Sequence, residues 1–410
     1  MKKQLKKIKL DSKIANLLTN EQKNEVIIHM ANELWEQREQ ILKNNQKDME
    51  NAKKNGLKKA LIDRLYLDEL RIKNMVKSLI DIAHQEDPVG KIISSKTLEN
   101  GLKIHKVKVP IGVIGIIYES RPNVTSDTAG LCFKSGNACV LKGGKEAFYS
   151  NKIIAQVLKN VLEKNSLPRN LINLFEGSRS EVAKLLKQKD FIDLIIPRGG
   201  EGLVKFVSEN SLIPVIKHDK GLCHVYMDKD GDFQKALDII INAKCQRTGV
   251  CNAIETLLVN EEIAKDFLPK IKEKFDKQKT ILLGCKKTIK IIPIPRATKE
   301  DWSREYLDNK ISIKLVKNVQ EAIKHINKYG SQHSEAIISE NKQTSDLFLN
   351  SIDASCVYVN ASTRFTDGGV FGLGAEIGIS TNKLHARGPV GADDLTTYKY
   401  KIYGDGQIRT

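Results

Sequence analysis

The sequence predicts an α/β protein built on parallel sheets, and three observations carry that reading. Short apolar runs alternate with stretches of helical spacing between about residues 110 and 230, and a second such cycle begins near Asp232. Strands separated by roughly 10 to 20 helical residues need crossover connections, which place helices on both faces of a parallel sheet. The length of 410 residues also exceeds what one hydrophobic core usually fills, so two or three lobes are expected.

Residues 1 to about 90 read as helices, because Ile27, Ala31, Leu34 and Ile41, then Leu61, Leu65, Ile72, Met75 and Leu79, recur at helical spacing. Asn55-Gly56 is the expected break between them. From Leu102 the period changes: Lys106 and Lys108 alternate with Val107 and Val109, and Pro110 precedes a second apolar run, GVIGIIYE. The following strand candidates are NACVLKGG, LINLFEG, FIDLIIPRGG and LCHVYMD, with helical KEAFYSNKIIAQVLKNVLEKN and RSEVAKLLKQ among the intervening stretches. The second cycle runs through helix FQKALDIIINAKC, strand AIETLLVN and helix EEIAKDFLPKIKEKF, then strands and turns to about residue 360. The tail ends in LTTYKYKIYGDG, where Thr397, Tyr398, Tyr400 and Tyr403 have strand character. An unpaired terminal strand invites aggregation, so this one is expected to pair with another segment or subunit.

Composition narrows the function classes. Hydrophobic residues make up 40% and charged residues 29%, which suits a globular chain. Lys plus Arg is 67 against 50 Asp plus Glu, a formal charge of +17, and such an excess raises nucleic acid or an anionic membrane as partner. The lysines are scattered rather than clustered, with few aromatics between them, so the reading is no nucleic acid, and a positive field that suits small anionic substrates. Seven cysteines, an odd number without C-x-x-C spacing, argue for a reducing cytoplasm rather than a disulfide framework or zinc ribbon. The start, MKKQLKKIKLDSKIANLL, lacks an apolar core segment, and the longest apolar run, Val109 to Tyr118, is too short to span a bilayer; no membrane association is expected.

The chemistry-bearing features are few. No G-x-G-x-x-G fingerprint follows the first strand, and FGLGAEIG misses that spacing. Two other turns, VLKGGKEA and IIPRGGEGLVKF, are either ordinary strand-to-helix turns or places where backbone N–H groups face an anion. Cys251, in KCQRTGVCNAIETLLV, lies where a helix ends at a polar Gly-bearing turn and a strand begins, a setting that can project its sulfur into a cleft. Cys132, Cys139 and Cys223 lie within apolar runs and read as small buried hydrophobes. His105 and His224 sit in strand-like segments and His333 in a polar loop, with no ligand spacing for a metal; His218, between a strand and a turn, is either solvated or functional.

Taken together, VPIGVIGIIYESRPNVTSDTAGLCFKSGNACVLKGGKEA, PRGGEGLVKFV, HDKGLCHVYMD, QRTGVCNAIETLLV and NASTRFTDGGVFGLGAEIGISTNKLHARGPVG are similar, in this order, to the gamma-glutamyl phosphate reductase (glutamate-5-semialdehyde dehydrogenase) family, a branch of the aldehyde dehydrogenase superfamily. The resemblance covers nearly the whole chain. It implies an NADP-binding domain over 1–230 with an atypical Rossmann sheet and an oligomerisation hairpin near 95–112. It further implies a catalytic domain over 231–360 carrying Cys251, and a segment, 361–410, that returns to the cofactor domain and adds oligomerisation strands. The implied reaction is NADPH-dependent reduction of L-glutamyl 5-phosphate to L-glutamate 5-semialdehyde, a step of proline biosynthesis. The implied assembly is a homo-oligomer, dimer or tetramer, and association with the glutamate 5-kinase that makes the labile substrate is left open.

The resemblance also distributes roles. Cys251 is the nucleophile, with Asn123 as side-chain donor to the oxyanion. Lys142 meets the adenosine ribose and its 2′-phosphate, Gly199 and Gly200 lie beneath the pyrophosphate, and Glu305 reaches the nicotinamide ribose. Arg121, Arg364 and Asp367 are candidates for the substrate's α-carboxylate and α-amine, since a guanidinium suits a carboxylate and an Asp an ammonium. Where aldehyde-oxidising relatives carry a water-activating glutamate, this chain has Lys217 and His218, cations suited to the substrate phosphate or to a lowered Cys251 pKa. That departure disfavours the alternative, an NAD(P)-dependent aldehyde dehydrogenase releasing a free acid.

Overall fold

The computed structural model describes residues 1–57, 59–217 and 220–409, and the chain divides into two compact units. The first comprises Met1–Lys217, Gly372–Gly378 and Pro389–Thr410; the second comprises His218–Phe371 and Ile379–Gly388.

The first unit opens with five helices, α1 (Lys2–Ala15), α2 (Asn20–Glu36), α3 (Arg38–Lys54), α4 (Lys59–Leu65) and α5 (Glu69–Ala83). Helix α2 starts on a capping box in which Thr19 and Gln22 each satisfy the other's backbone N–H. Helix α3 stops where expected, at Asn55-Gly56, because Gly56 takes φ +65, a left-handed conformation that glycine adopts without penalty. Strands β1 (Ile92–Thr97) and β2 (Lys103–Pro110) form an antiparallel hairpin. Then follow β3 (Val113–Tyr118), α6 (Pro122–Lys134), β4 (Ala138–Lys142), α7 (Phe148–Lys164), β5 (Ile172–Leu174), α8 (Arg179–Leu185), β6 (Leu194–Arg198) and α9 (Glu201–Asn210). Their four strands make a parallel sheet in the order β5-β4-β3-β6. Gly115 in its middle has a packing reason: a Cβ there would lie 2.5 Å from the Ile195 side chain on the neighbouring strand. The first turn of α7 is capped from outside, by Asp48 of α3, which accepts from Tyr149 N, Ser150 N and Ser150 Oγ at 3.1, 2.8 and 2.7 Å.

The second unit contains β7 (Cys223–Met227), α10 (Phe233–Cys245), β8 (Ile254–Asn260), α11 (Ala264–Lys277), β9 (Ile281–Gly284), β10 (Lys310–Val316), α12 (Val319–Tyr329), β11 (Ser334–Ile338), α13 (Lys342–Ser351) and β12 (Cys356–Val359). All six strands are parallel, in the order β12-β11-β7-β8-β10-β9. Residues 319–351, expected as strands and turns, hold two helices as well. Val319, Ala322, Ile323 and Ile326 do fall at helical spacing, and Asn318 caps α12 by accepting from Glu321 N at 3.0 Å. Helices α10 and α11 pack with Val225, Leu257, Ile313 and Ala336 on one face of the sheet, while Ile326 of α12 and Phe348 of α13 pack with Tyr226, Leu258 and Ile337 on the other.

Short strands β13 (Gly378–Ser380) and β14 (Gly388–Val390) pair with each other, and β15 (Thr396–Tyr403) returns to the first unit. It runs antiparallel to β2 from Thr396 opposite Pro110 to Tyr403 opposite Lys103, giving a sheet β1-β2-β15. The terminal strand thus finds a partner within the chain, yet every residue of β15 after Thr396 is exposed, as is all of β1. Among the described residues no helix is long and apolar enough to cross a membrane.

Candidate active site

In the second unit, α10 ends at Cys245 and β8 begins at Ile254, and half-buried Cys251 stands on the turn between them. The turn is held tightly. A Cβ on Gly221, in the segment leading into β7, would lie 2.1 Å from the Cys251 carbonyl oxygen and 2.3 Å from its Cα, so this approach admits glycine alone. The Cys223 thiol donates to the same carbonyl at 3.2 Å. Next along the chain, buried Asn252 donates Nδ2 to the Thr366 carbonyl at 2.8 Å, and its own carbonyl accepts from Thr363 Oγ1 at 2.7 Å.

Arg364 belongs to the same assembly. Its guanidinium donates to Asn252 Oδ1 and, through Nε, to Gln246 Oε1 at 2.8 Å. Burial pushes its pKa down, opposed by the nearby charges of Asp367 and Cys251. Asp367 Oδ1 accepts from Gly369 N at 3.0 Å and Val370 N at 3.3 Å, which shapes the loop that follows. Glu305 Oε1 accepts from Gly221 N at 2.9 Å. The second unit therefore brings Cys251, Arg364, Asp367 and Glu305 together around one turn.

Beneath it lies a buried ion pair, Lys244 Nζ to Glu255 Oε2 at 2.7 Å. Burial pushes the Glu255 carboxyl up to about 7 against the pull of Lys244. His333 does lie in a loop, just ahead of β11, and is fully buried there, its Nδ1 2.9 Å from Ser334 Oγ and 3.7 Å from Cys223 Sγ. Apolar spacing carried no sign of this, because burial of a short polar segment is set by what packs over it.

The first unit holds the remaining candidates. Lys142 ends β4, donates to the Gly143 carbonyl at 2.6 Å and has its pKa lowered by burial. It borders a hollow of about 210 Å³ lined also by Gly143, Gly144, Phe148, Phe175 and Glu176. The turn is glycine-bound, since a Cβ on Gly143 would lie 2.0 Å from Asn151 Nδ2. Gly199 and Gly200 follow β6 and lead into α9, as the sequence suggests. The Gly200 N–H does face an anion: it donates to Glu119 Oε2 at 2.8 Å, and a Cβ on Gly199 would lie 2.5 Å from that oxygen. Glu119 was not among the sequence candidates, although it stands in the same ESRPN segment.

Arg121 occupies the position ahead of α6 and is half-buried. Asn123, in the first turn of α6, is exposed and donates Nδ2 to Asp127 Oδ2 at 2.9 Å; burial nevertheless raises Asp127 to about 6. Lys217 ends this unit half-buried, and His218 lies outside the described residues. Among the described residues no three His, Cys, Asp or Glu side chains are placed to hold a metal.

The aldehyde dehydrogenase family model matches residues 18–312. A gamma-glutamyl phosphate reductase of Nautilia profundicola is 59% identical over 410 residues, covering the whole of both chains. The chain belongs to the gamma-glutamyl phosphate reductase branch of the aldehyde dehydrogenase family. The solved gamma-glutamyl phosphate reductase of Thermotoga maritima superposes with a TM-score of 0.97 at 47% identity, covering 100% of this chain and 99% of that one. The wider aldehyde dehydrogenase fold extends to a glyceraldehyde-3-phosphate dehydrogenase of Methanocaldococcus jannaschii, complexed with NADP, at TM-score 0.69 and 16% identity. Members of the aldehyde dehydrogenase family work with NAD or NADP.

Proposed function

We propose that this chain reduces L-glutamyl 5-phosphate to L-glutamate 5-semialdehyde and phosphate with NADPH, in proline biosynthesis, through a thioester on Cys251. The observation that carries the reading is the clamped, half-buried Cys251 turn with the Arg364 guanidinium bonded to the next residue. The Cys251 thiolate attacks the acyl carbon and phosphate departs, leaving a thioester. Phosphate is a good leaving group and needs little help from a general acid, which fits Lys217 and His218 standing where oxidising relatives keep a base. The Cys251 N–H and the Asn123 amide would donate to the developing oxyanion. Arg121, Arg364 and Asp367 would receive the substrate's α-carboxylate and α-amine, with Lys217 and His218 on its phosphate.

The residues of the first unit fit a dinucleotide phosphate. The hollow beside Lys142 is walled by Gly143 and Gly144, and the α9 N-terminus offers a Gly200 N–H that already accommodates a carboxylate oxygen. Lys142 would hold the adenosine ribose and 2′-phosphate, Gly199 and Gly200 the pyrophosphate, and Glu305 the nicotinamide ribose. When bound, NADPH supplies the hydride that turns the thioester into aldehyde and thiol.

The exposed β1-β2-β15 sheet presents Ile92, Tyr398, Tyr400 and Ile402, each about half exposed or more, and is the proposed surface for a homo-oligomer. Seven cysteines, none in a disulfide, suit the cytoplasm. Association with glutamate 5-kinase would shorten the path of a labile acyl phosphate.

A reverse assay with glutamate 5-semialdehyde, NADP and phosphate tests the reading. NADPH should form only when phosphate or arsenate is present, and Cys251→Ser should abolish it. NADPH formation without either anion would point to aldehyde oxidation instead.

A further inference from the structure

The second unit contains two cysteines in close relation, and they differ in burial. Cys251 is half-buried on its turn, whereas Cys223, the first residue of β7, is wholly buried. Burial, reinforced by the charges of Glu335 and Cys251, pushes the Cys223 thiol well above its ordinary value, so it keeps its proton near neutrality and remains a donor. The donor's target is the carbonyl oxygen of Cys251, 3.2 Å away.

The thiol is itself tied into a polar chain. His333 Nδ1 lies 3.7 Å from Cys223 Sγ and 2.9 Å from Ser334 Oγ; Ser334 Oγ lies 2.7 Å from Thr366 Oγ1, which lies 2.7 Å from the Tyr358 hydroxyl. The chain closes on the same turn, because the Thr366 carbonyl accepts from Asn252 Nδ2 at 2.8 Å. The peptide between Cys251 and Asn252 is thus gripped from two sides: by Cys223 at the carbonyl of Cys251 and by Thr366, Thr363 and Arg364 at Asn252. Gly221 presses on its third side with no room for a Cβ.

We propose that Cys223 is a positioning residue for the reacting cysteine: its thiol fixes the Cys251 carbonyl, and with it the backbone from which the Cys251 side chain and N–H are aimed at the acyl carbon. A serine can replace it as donor, while an alanine removes this bond. The expected signature is a loss in kcat with binding little changed, since a misaimed nucleophile slows acylation but leaves the nucleotide's contacts alone.

The proposal rests on Cys251 as nucleophile, so the test begins with Cys251→Ala, which should lose turnover and lose the site of fast labelling by iodoacetamide. Retained turnover there overturns the functional reading and the inference together. With that established, Cys223→Ala should lower kcat and the rate of Cys251 alkylation about three- to tenfold, the effect of one hydrogen bond, while the KM for NADPH stays within about twofold. Cys223→Ser should recover both rates to within about twofold of the original protein. Alanine and serine variants that alkylate and turn over like the original overturn the inference alone, as does a serine variant no better than alanine when both remain folded by circular dichroism.

Discussion

The two parallel sheets of this chain hold most of the candidate residues at opposite ends of their strands. In the four-stranded sheet the candidates follow the strands: Glu119 after β3, Lys142 at the end of β4, and Gly199 and Gly200 after β6. In the six-stranded sheet most precede them, Gly221 before β7, Cys251 before β8 and Glu305 before β10, while Arg364 and Asp367 come after β12 on a segment that returns to Asn252. The interiors differ as well. Strand β3 is apolar throughout (VIGIIY), whereas Glu335, His224, Thr256 and Ser312 sit in register across β11, β7, β8 and β10, all fully buried. Glu335 Oε2 accepts from His224 N at 2.7 Å and lies 2.9 Å from its Nδ1, and the buried charge of Glu255 is met by Lys244. A phosphate cradle, the role proposed for these turns, needs backbone N–H groups and no side chain, so glycine turns on an apolar sheet would suffice. A nucleophile must be aimed, and if Cys251 is one as proposed, the buried polar side chains of the second sheet suit that task, since leaving them unbonded is costly.

The comparison breaks most severely at Cys251. Cys251→Ala should reduce turnover below about one part in a thousand with the unfolding midpoint little changed, because the residue is proposed to do chemistry rather than hold structure. Next in size is Glu255→Gln, which leaves Lys244 buried without a counter-charge and should cost about 3–5 kcal/mol in urea unfolding. The matching change in the first unit, Glu119→Gln, should cost less than about 1 kcal/mol, since its partner is a backbone N–H at an exposed turn. Equal losses would erase the contrast between a polar-braced sheet and an apolar one. Lys142→Ala should raise the KM for NADPH about tenfold with kcat within about twofold, the mark of lost uniform binding.

The smallest effect concerns Asp127. Burial pushes its carboxyl from the ordinary 3.8 up to about 6, so the folded state holds the proton more tightly and stability is lost as pH rises between those values. Asp127→Asn should therefore match the original protein near pH 4 and exceed it by about 1–2 kcal/mol above pH 6, allowing for partial exposure. A variant less stable at pH 8 than the original would show instead that the carboxylate's bonds outweigh its burial.

Much of the local setting of the candidate residues was legible in the chain. KCQRTGVCNAIETLLV shows a helix, a polar turn and a strand, and Cys251 does stand on that turn. IIPRGGEGLVKF shows a strand feeding a helix through glycines, and β6 and α9 sit there. The partners of these residues were not legible. Arg364 was read as one candidate for the substrate's α-carboxylate, and in the structure it braces Asn252, 112 positions away in sequence. His333 was read as lying in a polar loop, and that loop buries it beside Cys223, 110 positions away.

Local pattern by itself determined the α/β class, the strands of the four-stranded sheet and β7 and β8 of the six-stranded one, most of the helices and the turn that carries Cys251. These follow from periodicity and from glycine's freedom, which act over a few neighbouring residues. Tertiary structure alone decided that Gly221 presses on Cys251, that Cys223 donates to its carbonyl, and that Glu119 meets the start of α9. Those contacts join segments brought near only when the strands take their order in the sheets, and that order is a property of packing which no local pattern encodes.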